Sequence, residues 1–374
     1  MNSLSIRNYK NLEDIQIDNL GIVNLIAGEN NVGKSSLLEG ISILQAGGRI
    51  DWLKQLLKFR GEGIDSSIYN NEERIQKEME RFLSFVPNFD ENNMFNLTIE
   101  FSCSNSSKTE TSLHKRIILR FVHFTELKIS ENGIDRTIRT IIETVNPNDV
   151  YDNLGVGLEI TNGNQKTIYP FYGVRSRFLP ETSIIMQYVR MGDTNNEDNS
   201  SLFDRLALTP LQKYVVSALQ IIEPRITDIN FLKDDKRRSS ANDDARIPYV
   251  ILEGETKRRR LGSMGDGINR ILTIILAMLN CKDGTLLIDE FENGLHYSVQ
   301  RKLWRIIFKL AKELNIQVFA TTHSNDTIRS FADENSMGEG VFLRLEHHKG
   351  KIQAVTFSDN KDLTFVLDQN IEIR

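Results

Sequence analysis

Residues Gly28-Glu29-Asn30-Asn31-Val32-Gly33-Lys34-Ser35 decide the fold class of this 374-residue chain. They match the pattern G-x-x-x-x-G-K-S, whose glycines let backbone N–H groups wrap around phosphate oxygens. The apolar run 21–27 before them predicts a buried strand. After Ser35, apolar residues recur at the spacing of a helix that Gly47-Gly48 ends. The simpler alternative is a glycine turn with an ordinary exposed lysine, but the flanking strand and helix favour a phosphate-binding loop.

Each residue type in this loop has an expected role toward a bound ATP. The helix N-terminus after Gly33 adds positive potential for phosphate. We expect Lys34 to neutralise the β- and γ-phosphates and Ser35 to ligate Mg²⁺. The other residues expected to line the nucleotide are Gly28, Asn30, Asn31, Gly33 and Ser36. The cofactors predicted from the loop are therefore ATP and Mg²⁺.

A second motif, Leu286-Leu287-Ile288-Asp289-Glu290, is an apolar run that ends in two carboxylates. Buried strand positions rarely tolerate an unpaired charge, so the acids are expected at the carboxyl end of a strand, where open α/β sheets bind ligands. Asp289 would hold the Mg²⁺ shell through water, and Glu290 would act as general base toward the attacking water. The alternative is a helix N-cap followed by a surface acid.

A third motif, Thr321-Thr322-His323-Ser324, follows the apolar run 316–320. His323 is therefore also expected at the carboxyl end of a strand, beside the first two motifs. A neutral imidazole at this place can hydrogen-bond the γ-phosphate and respond to its presence. The alternative is a histidine that caps a helix or is satisfied in the core.

The fourth motif, Leu261-Gly262-Ser263-Met264-Gly265-Asp266-Gly267, precedes a helix predicted to begin near Ile268. Small residues at a helix start make a second anion site. Because the phosphate loop already serves its own nucleotide, Ser263 and Gly265 are expected to contact the γ-phosphate of a nucleotide on another subunit. A plain glycine-rich helix start is the alternative.

Composition limits the class of protein. The chain is 40% hydrophobic and 26% charged with a formal charge of −5, which is typical of a soluble globular protein and argues against general nucleic-acid binding. Cys103 and Cys281 lie far apart, so free thiols in a reducing cytoplasm are expected. The chain begins without a signal-peptide pattern and has no apolar stretch of about 18 residues, so no membrane association is expected.

The rest of the chain is predicted as insertions into one ATP-binding head. An N-terminal hairpin pairs 4–6 with 15–17, residues 193–199 form a flexible loop, 211–222 form a helix and 248–252 a strand. A regular α/β pattern follows, with helices 268–279 and 298–314, strands 285–288 and 316–320, and a closing hairpin of 341–345 with 352–357. The expected divisions are 1–48 (phosphate-loop lobe), 49–95 (helical insertion), 96–180 (β-rich part), 181–255 (mainly helical arm) and 256–374 (C-terminal lobe).

Together the four motifs resemble the ABC-type ATPase heads of the SMC, RecF and OLD group. Ser263-Met264-Gly265-Asp266-Gly267 replaces the usual Leu-Ser-Gly-Gly-type signature in a form that resembles the OLD-like subgroup. Glu292-Asn293-Gly294-Leu295-His296 resembles that subgroup's dimer-contacting loop. Residues 4–10 resemble its N-terminal strand, whose basic residue, here Arg7 or Lys10, often approaches the nucleotide. The glutamine loop of the family cannot be placed in this sequence; Arg175–Pro180 is expected to mark the strand near it, and Gln187 is a candidate for the glutamine without further support.

This resemblance implies an α/β fold: a P-loop ABC-type ATPase head with a mixed sheet, flanking helices, an N-terminal β subdomain and a helical/β middle insertion. It implies ATP hydrolysis and a homodimer or higher oligomer joined through the ATP sites. Only about 50 residues follow His323, too few for the Toprim nuclease domain of OLD proteins. We therefore expect a regulatory ATPase in a bacterial anti-phage defence-type system, acting on a separate nuclease or toxin chain.

Two basic runs, Lys236-Arg237-Arg238 and Lys257-Arg258-Arg259-Arg260, keep a second function open. Such runs are most often solvated surface, but they can also contact a phosphate backbone. The alternative is therefore a DNA-binding repair or recombination ATPase of RecF kind. A transporter ATPase is disfavoured by the insertions and by the N-terminal strand.

Overall fold

The fold is described from a computed structural model, which places residues 1–62, 71–87, 93–105, 113–131, 134–144, 153–171, 185–192, 196–233, 246–335, 338–357 and 363. The strands in these ranges are β1 (Ser3–Tyr9), β2 (Leu12–Ile17), β3 (Val23–Gly28), β4 (Thr98–Asn105), β5 (Leu113–Glu131), β6 (Ile134–Ile142), β7 (Leu154–Asn162), β8 (Gln165–Pro170), β9 (Met186–Val189), β10 (Ile226–Lys233), β11 (Arg246–Leu252), β12 (Arg259–Arg260), β13 (Thr285–Ile288), β14 (Gln317–Thr322), β15 (Gly340–His348) and β16 (Lys351–Phe357). The helices are α1 (Lys34–Gln45), α2 (Ile50–Phe59), α3 (Asn71–Leu83), α4 (Asn196–Asp204), α5 (Gln212–Leu219), α6 (Asp266–Leu279), α7 (Tyr297–Glu313) and α8 (Asn325–Glu334).

Contacts divide the chain into two units. The first comprises residues 1–18, 36–184 and 347–353, and the second comprises 19–35, 185–346 and 354–374. Within the described residues of the second unit lie the phosphate loop, the acidic strand end, the signature segment and His323. Apart from Arg7, Lys10 and Ser36, the described residues predicted to bind or hydrolyse the nucleotide therefore belong to the second unit.

A six-stranded sheet in the order β16-β15-β3-β14-β13-β9 carries the site. The strands from β15 to β9 run parallel. Strands β3 and β13 are buried along their whole length, as expected for parallel strands covered on both faces. The carboxyl ends of parallel strands lie at the same edge of a sheet. Strands β3, β13 and β14 thus deliver their following loops to one place.

The first unit is built on a seven-stranded antiparallel sheet in the order β2-β1-β4-β5-β7-β8, with β6 paired to β5. A buried ionic cluster lies in this unit, where the Glu39 carboxylate of α1 accepts hydrogen bonds from Lys10, Arg60 and Tyr9. Burial raises the pKa of Glu39, but the Lys10 and Arg60 charges outweigh it and hold that pKa below its usual value. The cluster fixes α1 against the N-terminal hairpin.

Helix α6 is the centre of the second unit's helical layer, because nearly all of its side chains from Ile268 to Leu279 are buried. Helices α4 and α5 pack against it. The antiparallel strands β10, β11 and β12 form a separate small sheet. The N-terminal hairpin, α5, α6, α7, β13, β14 and the β15–β16 pair all correspond to elements predicted from the sequence.

Two local predictions need correction. Residues 196–199 were predicted as part of a flexible loop, but they open α4, where Asn199 is buried and its Nδ2 donates to Thr273 Oγ1 at 2.9 Å. The polar composition wrongly predicted a loop, because the buried Asn199 side chain is satisfied by its hydrogen bond to Thr273. The segment 181–255 was predicted as mainly helical, yet its described part contains β9, β10 and β11 besides two helices. A register shift between Ile226 and Asp228 hides the alternation of β10.

Candidate active site

The phosphate loop connects β3 to α1 and folds around its own lysine. Gly28 has a φ of 154°, and a Cβ there would lie 2.6 Å from the Leu345 carbonyl oxygen, so only glycine fits. Lys34 Nζ donates to the carbonyl oxygens of Gly28 at 2.7 Å and Glu29 at 2.8 Å. Burial lowers the pKa of Lys34, while the nearby carboxylates of the acidic strand end act in the opposite direction. The ammonium thus lies within the loop that is expected to surround the phosphates.

Asp289 is the point at which three elements meet. Its Oδ1 accepts a hydrogen bond from Ser35 Oγ of α1 at 3.1 Å and from Thr321 Oγ1 of β14 at 2.6 Å. A hydroxyl and a carboxylate side by side are the hard oxygen ligands that Mg²⁺ prefers. The predicted metal ligands Ser35 and Asp289 therefore lie together and fit the ion. Asp289 does not cap a helix, since α7 begins at Tyr297 with His296 as its N-cap.

Glu290 is held in an unusual backbone conformation. Its φ is 49°, in the left-handed region that a glutamate rarely adopts. Its N–H donates to Thr321 Oγ1 at 2.9 Å, and the next residue, Phe291, is fully buried and stacks on Trp304 with ring centroids 4.0 Å apart. This anchoring leaves the Glu290 side chain half-buried at the strand end. Non-glycine strain of this kind is common at active sites.

His323 pairs with a carboxylate that the sequence motifs did not single out as catalytic. Glu292 Oε1 lies 2.9 Å from His323 Nδ1 and accepts a hydrogen bond from the His323 backbone N–H at 2.8 Å. The imidazole is half exposed, whereas the Glu292 side chain is only 11% exposed. His323 does not cap α8, because Ser324 takes that position and accepts from the Thr327 N–H. Glu292 thus fixes the orientation of the ring at Nδ1, and the rest of the imidazole is accessible to solvent.

Arg270 is a further residue that sequence reasoning missed. It lies on α6, is 3% exposed, and its terminal nitrogens donate to the carbonyl oxygens of Arg190 at 2.8 Å, Asp289 at 2.8 Å and Glu290 at 3.2 Å. A charged residue on the apolar face of a predicted core helix was the available signal. Arg270 ties the helix that begins at the signature motif to the backbone of the two site acids.

The signature segment forms a 3₁₀ turn, Leu261–Met264, followed by Gly265 as the N-cap of α6. Gly265 has a φ of 101°, and no side chain caps the helix start. Ser263 Oγ donates to the Arg260 carbonyl oxygen at 2.7 Å, within its own turn, whereas Ser35 and Thr321 both donate to Asp289. Both Ser263 and Gly265 are exposed. The segment thus presents a bare helix start to solvent.

The remaining predicted site residues lie elsewhere or remain open. Asn30 and Asn31 are exposed in the loop, and Ser36 follows in the first turn of α1. In the first unit, Arg7 pairs with Asp14 at 3.1 Å and Lys10 with Glu39. The part of Arg7 in nucleotide binding remains a prediction. Gln187 lies within β9, and Arg175–Pro180 falls outside the described residues.

Comparison with known proteins gives the family. Residues 23–329 match the family model described as "AAA domain, putative AbiEii toxin, Type IV TA system". The chain belongs to this family. This AAA-domain protein is therefore a P-loop ATPase that binds and hydrolyses a nucleotide, as the four motifs predicted. The predicted fold class, an α/β P-loop ATPase head with an N-terminal β subdomain, is confirmed.

Individual relatives are more distant. The AAA-domain protein is 24% identical over 338 residues to an "ATP/GTP phosphatase" of Helicobacter pylori, covering 87% of this chain and 86% of that one. It is 28% identical over 137 residues to the "Bacitracin transport ATP-binding protein BcrA" of Bacillus licheniformis, covering 35% and 44%. A solved SMC head bound to the C-winged helix domain of ScpA matches with a TM-score of 0.48 and 11% identity over 97% and 98% of the two chains.

Within the described ranges, no helix combines the length and the apolar character that crossing a membrane requires.

Proposed function

We propose that this AAA-domain protein dimerises when it binds ATP and Mg²⁺, and that the dimer regulates a separate effector chain. The effector would be a nuclease or toxin of a bacterial anti-phage defence-type system. The observation that carries the proposal is the exposed, uncapped start of α6 at Gly265. The unit that contains it already has a phosphate loop of its own, so this second anion-binding feature suits a nucleotide on another subunit.

Within one subunit the residues divide the chemistry of hydrolysis. Lys34 compensates the charge of the β- and γ-phosphates, and Ser35 and Asp289 would hold Mg²⁺, which supplies further charge compensation when bound. Glu290, fixed by Thr321 and Arg270, orients the attacking water and accepts its proton. His323 contacts the γ-phosphate from the neighbouring strand end.

The subunit interface would complete the site. On ATP binding, Ser263 releases the Arg260 carbonyl and donates to the γ-phosphate of the partner subunit's nucleotide, together with the N–H groups at the start of α6. These donors stabilise charge that develops in the transition state. Arg270 links α6 to the backbone of Asp289 and Glu290 in the same subunit. When α6 contacts the nucleotide of the partner subunit, this link would transmit the contact to the acids of its own ATP site.

The effector part of the proposal is supported by the family description, which names a putative toxin of a type IV toxin–antitoxin system. It is tested by co-expressing this chain with the product of an adjacent open reading frame and measuring growth. We expect growth to depend on the ATPase state, so that Glu290→Gln and the parent differ. If cells grow equally well with the parent and with Glu290→Gln, this protein does not regulate that product through its ATPase state.

The dimerisation part is tested by sedimentation of Glu290→Gln, which should bind ATP but hydrolyse it at least roughly a hundredfold more slowly. We expect the mass to double with ATP and Mg²⁺ and to remain that of a monomer with ADP. The matched control is Lys34→Ala combined with Glu290→Gln, which should stay monomeric. An unchanged mass with ATP in Glu290→Gln would rule out ATP-driven dimerisation.

A second candidate function, a DNA-binding repair ATPase of RecF kind, is favoured by the exposed run Lys257–Arg260 beside the signature segment. Arg259 pairs with Glu255, and Arg258 lies over the Tyr249 ring at 4.9 Å. The test is anisotropy of a labelled DNA duplex at several salt concentrations. If the run binds DNA, replacing Lys257 and Arg258 by Glu should lower the salt slope by about two. This candidate is excluded if the parent and the variant bind DNA with equal affinity and if DNA does not change the ATPase rate of the parent.

A further inference from the structure

The contact between Glu292 and His323 fixes the orientation of the imidazole ring. Glu292 Oε1 receives both the backbone N–H and the Nδ1 of His323, at 2.8 Å and 2.9 Å. Its other oxygen, Oε2, is buried and has no hydrogen-bond partner among the described residues. A side chain that is 11% exposed and anchored at one oxygen has little freedom to turn away. The carboxylate therefore fixes which ring nitrogen faces the protein and which faces solvent.

An ionised carboxylate can only accept hydrogen bonds, so His323 Nδ1 must carry the hydrogen of this contact. A neutral imidazole has one N–H, which leaves Nε2 with a lone pair. The γ-phosphate oxygens of a triphosphate are acceptors as well. In a neutral ring bound to Glu292, the Nε2 lone pair would face the lone pairs of the γ-phosphate oxygens. The neutral ring therefore cannot hydrogen-bond the carboxylate and the phosphate at once.

We propose that His323 takes up one proton when a nucleoside triphosphate binds, and that Glu292 is the positioning residue that imposes this uptake. The inference rests on the triphosphate site proposed above. The imidazolium donates Nδ1–H to Glu292 and Nε2–H to a γ-phosphate oxygen, and the proton comes from solvent. Nucleoside diphosphates lack the second acceptor and leave the ring neutral. The histidine thus distinguishes the two nucleotides by its charge as well as by its contact.

The charges around the pair favour this assignment. Ionisable groups on the adjoining elements include Glu29 and Lys34 of the phosphate loop, Asp289 and Glu290 after β13, and Asp326 and Arg329 of α8. Burial lowers the pKa of Lys34, and its attraction to the Glu292 carboxylate acts in the opposite direction. A bound triphosphate adds several negative charges to this set, which stabilises an added proton on the ring.

Isothermal titration calorimetry tests the proposal on the full chain. The γ-thio analogue of ATP, which hydrolyses slowly, is titrated with Mg²⁺ at about pH 8, where an ordinary imidazole is neutral. Repeating the titration in buffers with different ionisation enthalpies gives the number of protons taken up. We expect about one proton per site for this analogue and about none for ADP. The association constant should then fall roughly tenfold per pH unit near this pH.

The variant Glu292→Gln separates the role of the carboxylate from its shape. The glutamine oxygen at the Oε1 position can still accept both the backbone N–H and the Nδ1–H of His323, but the amide carries no charge. Without a carboxylate charge beside it, an imidazolium is less stabilised and the ring stays neutral. We expect the variant to bind the analogue with proton uptake near zero. His348→Gln, at the exposed end of β15, is the matched control and should retain the uptake.

The outcomes are distinguishable. If the parent binds the analogue with no more proton uptake than ADP, the proposal is overturned while the triphosphate site stands. If His323→Gln still takes up the proton, the proton belongs to another group and the proposal also falls. If the parent releases no binding heat and the analogue fails to displace a fluorescent nucleotide, the triphosphate site itself is refuted. Should Glu292→Gln fail to fold, the parent and His323→Gln decide the question.

Discussion

Thr321→Val is the sharpest test of how the site acids are held. Thr321 is fully buried in β14, donates to Asp289 Oδ1 at 2.6 Å and accepts the Glu290 N–H at 2.9 Å. Valine has nearly the same shape, so the substitution removes both hydrogen bonds and leaves the packing of the strand intact. Thr321→Ser keeps the hydroxyl and is the matched control.

The expected loss of stability follows from the two bonds. The bond to the Asp289 carboxylate contributes about 1.5–3 kcal/mol, and the bond from the Glu290 N–H about 1 kcal/mol. Asp289 keeps its bond from Ser35 and is half exposed, so water replaces part of the first contribution. We therefore expect Thr321→Val to lower the free energy of unfolding by roughly 2–3 kcal/mol. Thr321→Ser should cost about 1 kcal/mol or less, for one methyl group.

The effect on hydrolysis follows from the strained backbone of Glu290. A φ of 49° costs about 1–3 kcal/mol and persists only while neighbours hold it. Without the Thr321 acceptor, the Glu290 backbone can leave this conformation, and its carboxylate then moves away from the position of the attacking water. We expect kcat to fall roughly tenfold to a hundredfold, equivalent to about 1.4–2.8 kcal/mol.

The assays are urea unfolding and steady-state release of phosphate at saturating ATP. Both variants should bind a fluorescent ATP analogue as the parent does. The reasoning is refuted if Thr321→Val unfolds at the parental urea concentration and hydrolyses ATP at the parental rate. It is also refuted if Thr321→Ser loses as much activity as Thr321→Val, because then the hydroxyl is not the group that matters.

Three further predictions concern the nucleotide, the interface and the link between them. Lys34→Ala should abolish ATP binding, because it leaves phosphate charge to backbone dipoles alone; unchanged affinity in a filter-binding assay would contradict the phosphate loop. Ser263→Arg should bind ATP without hydrolysing it, and mixing it with Lys34→Ala should restore some activity through one intact composite site; parental hydrolysis by Ser263→Arg alone would exclude that site. Arg270→Met should bind ATP but lose roughly tenfold or more in kcat, with partial rescue in Arg270→Lys, whereas equal KM and kcat in all three proteins would show that Arg270 does not position the acids.

Local patterns were sufficient to predict the parts of the site that each stretch of chain builds alone. The strand Thr285–Ile288 has the predicted bounds, and α6 ends at Leu279 as predicted although it begins at Asp266, two residues earlier than predicted. Long apolar runs and helical periodicity are properties of neighbouring residues, so they can be predicted locally. Gly28 and Lys34 followed from the loop pattern for the same reason. The start of α4 and the strand β10 were missed, since a buried amide and a bulge both disrupt the local pattern.

Motifs in the sequence were sufficient to predict the class of this protein, a phosphate loop and two acids at the end of a strand. The contacts that hold these residues in place come from distant parts of the chain. Thr321 lies beside Asp289 and Glu290 because β13 and β14 run parallel with Ile288 opposite Ala320. Glu292 reaches His323, and Arg270 reaches three carbonyls, across gaps of 31 residues and of 19, 20 and 80 residues. Strand register and helix packing are set by the whole core, so no window of sequence contains them.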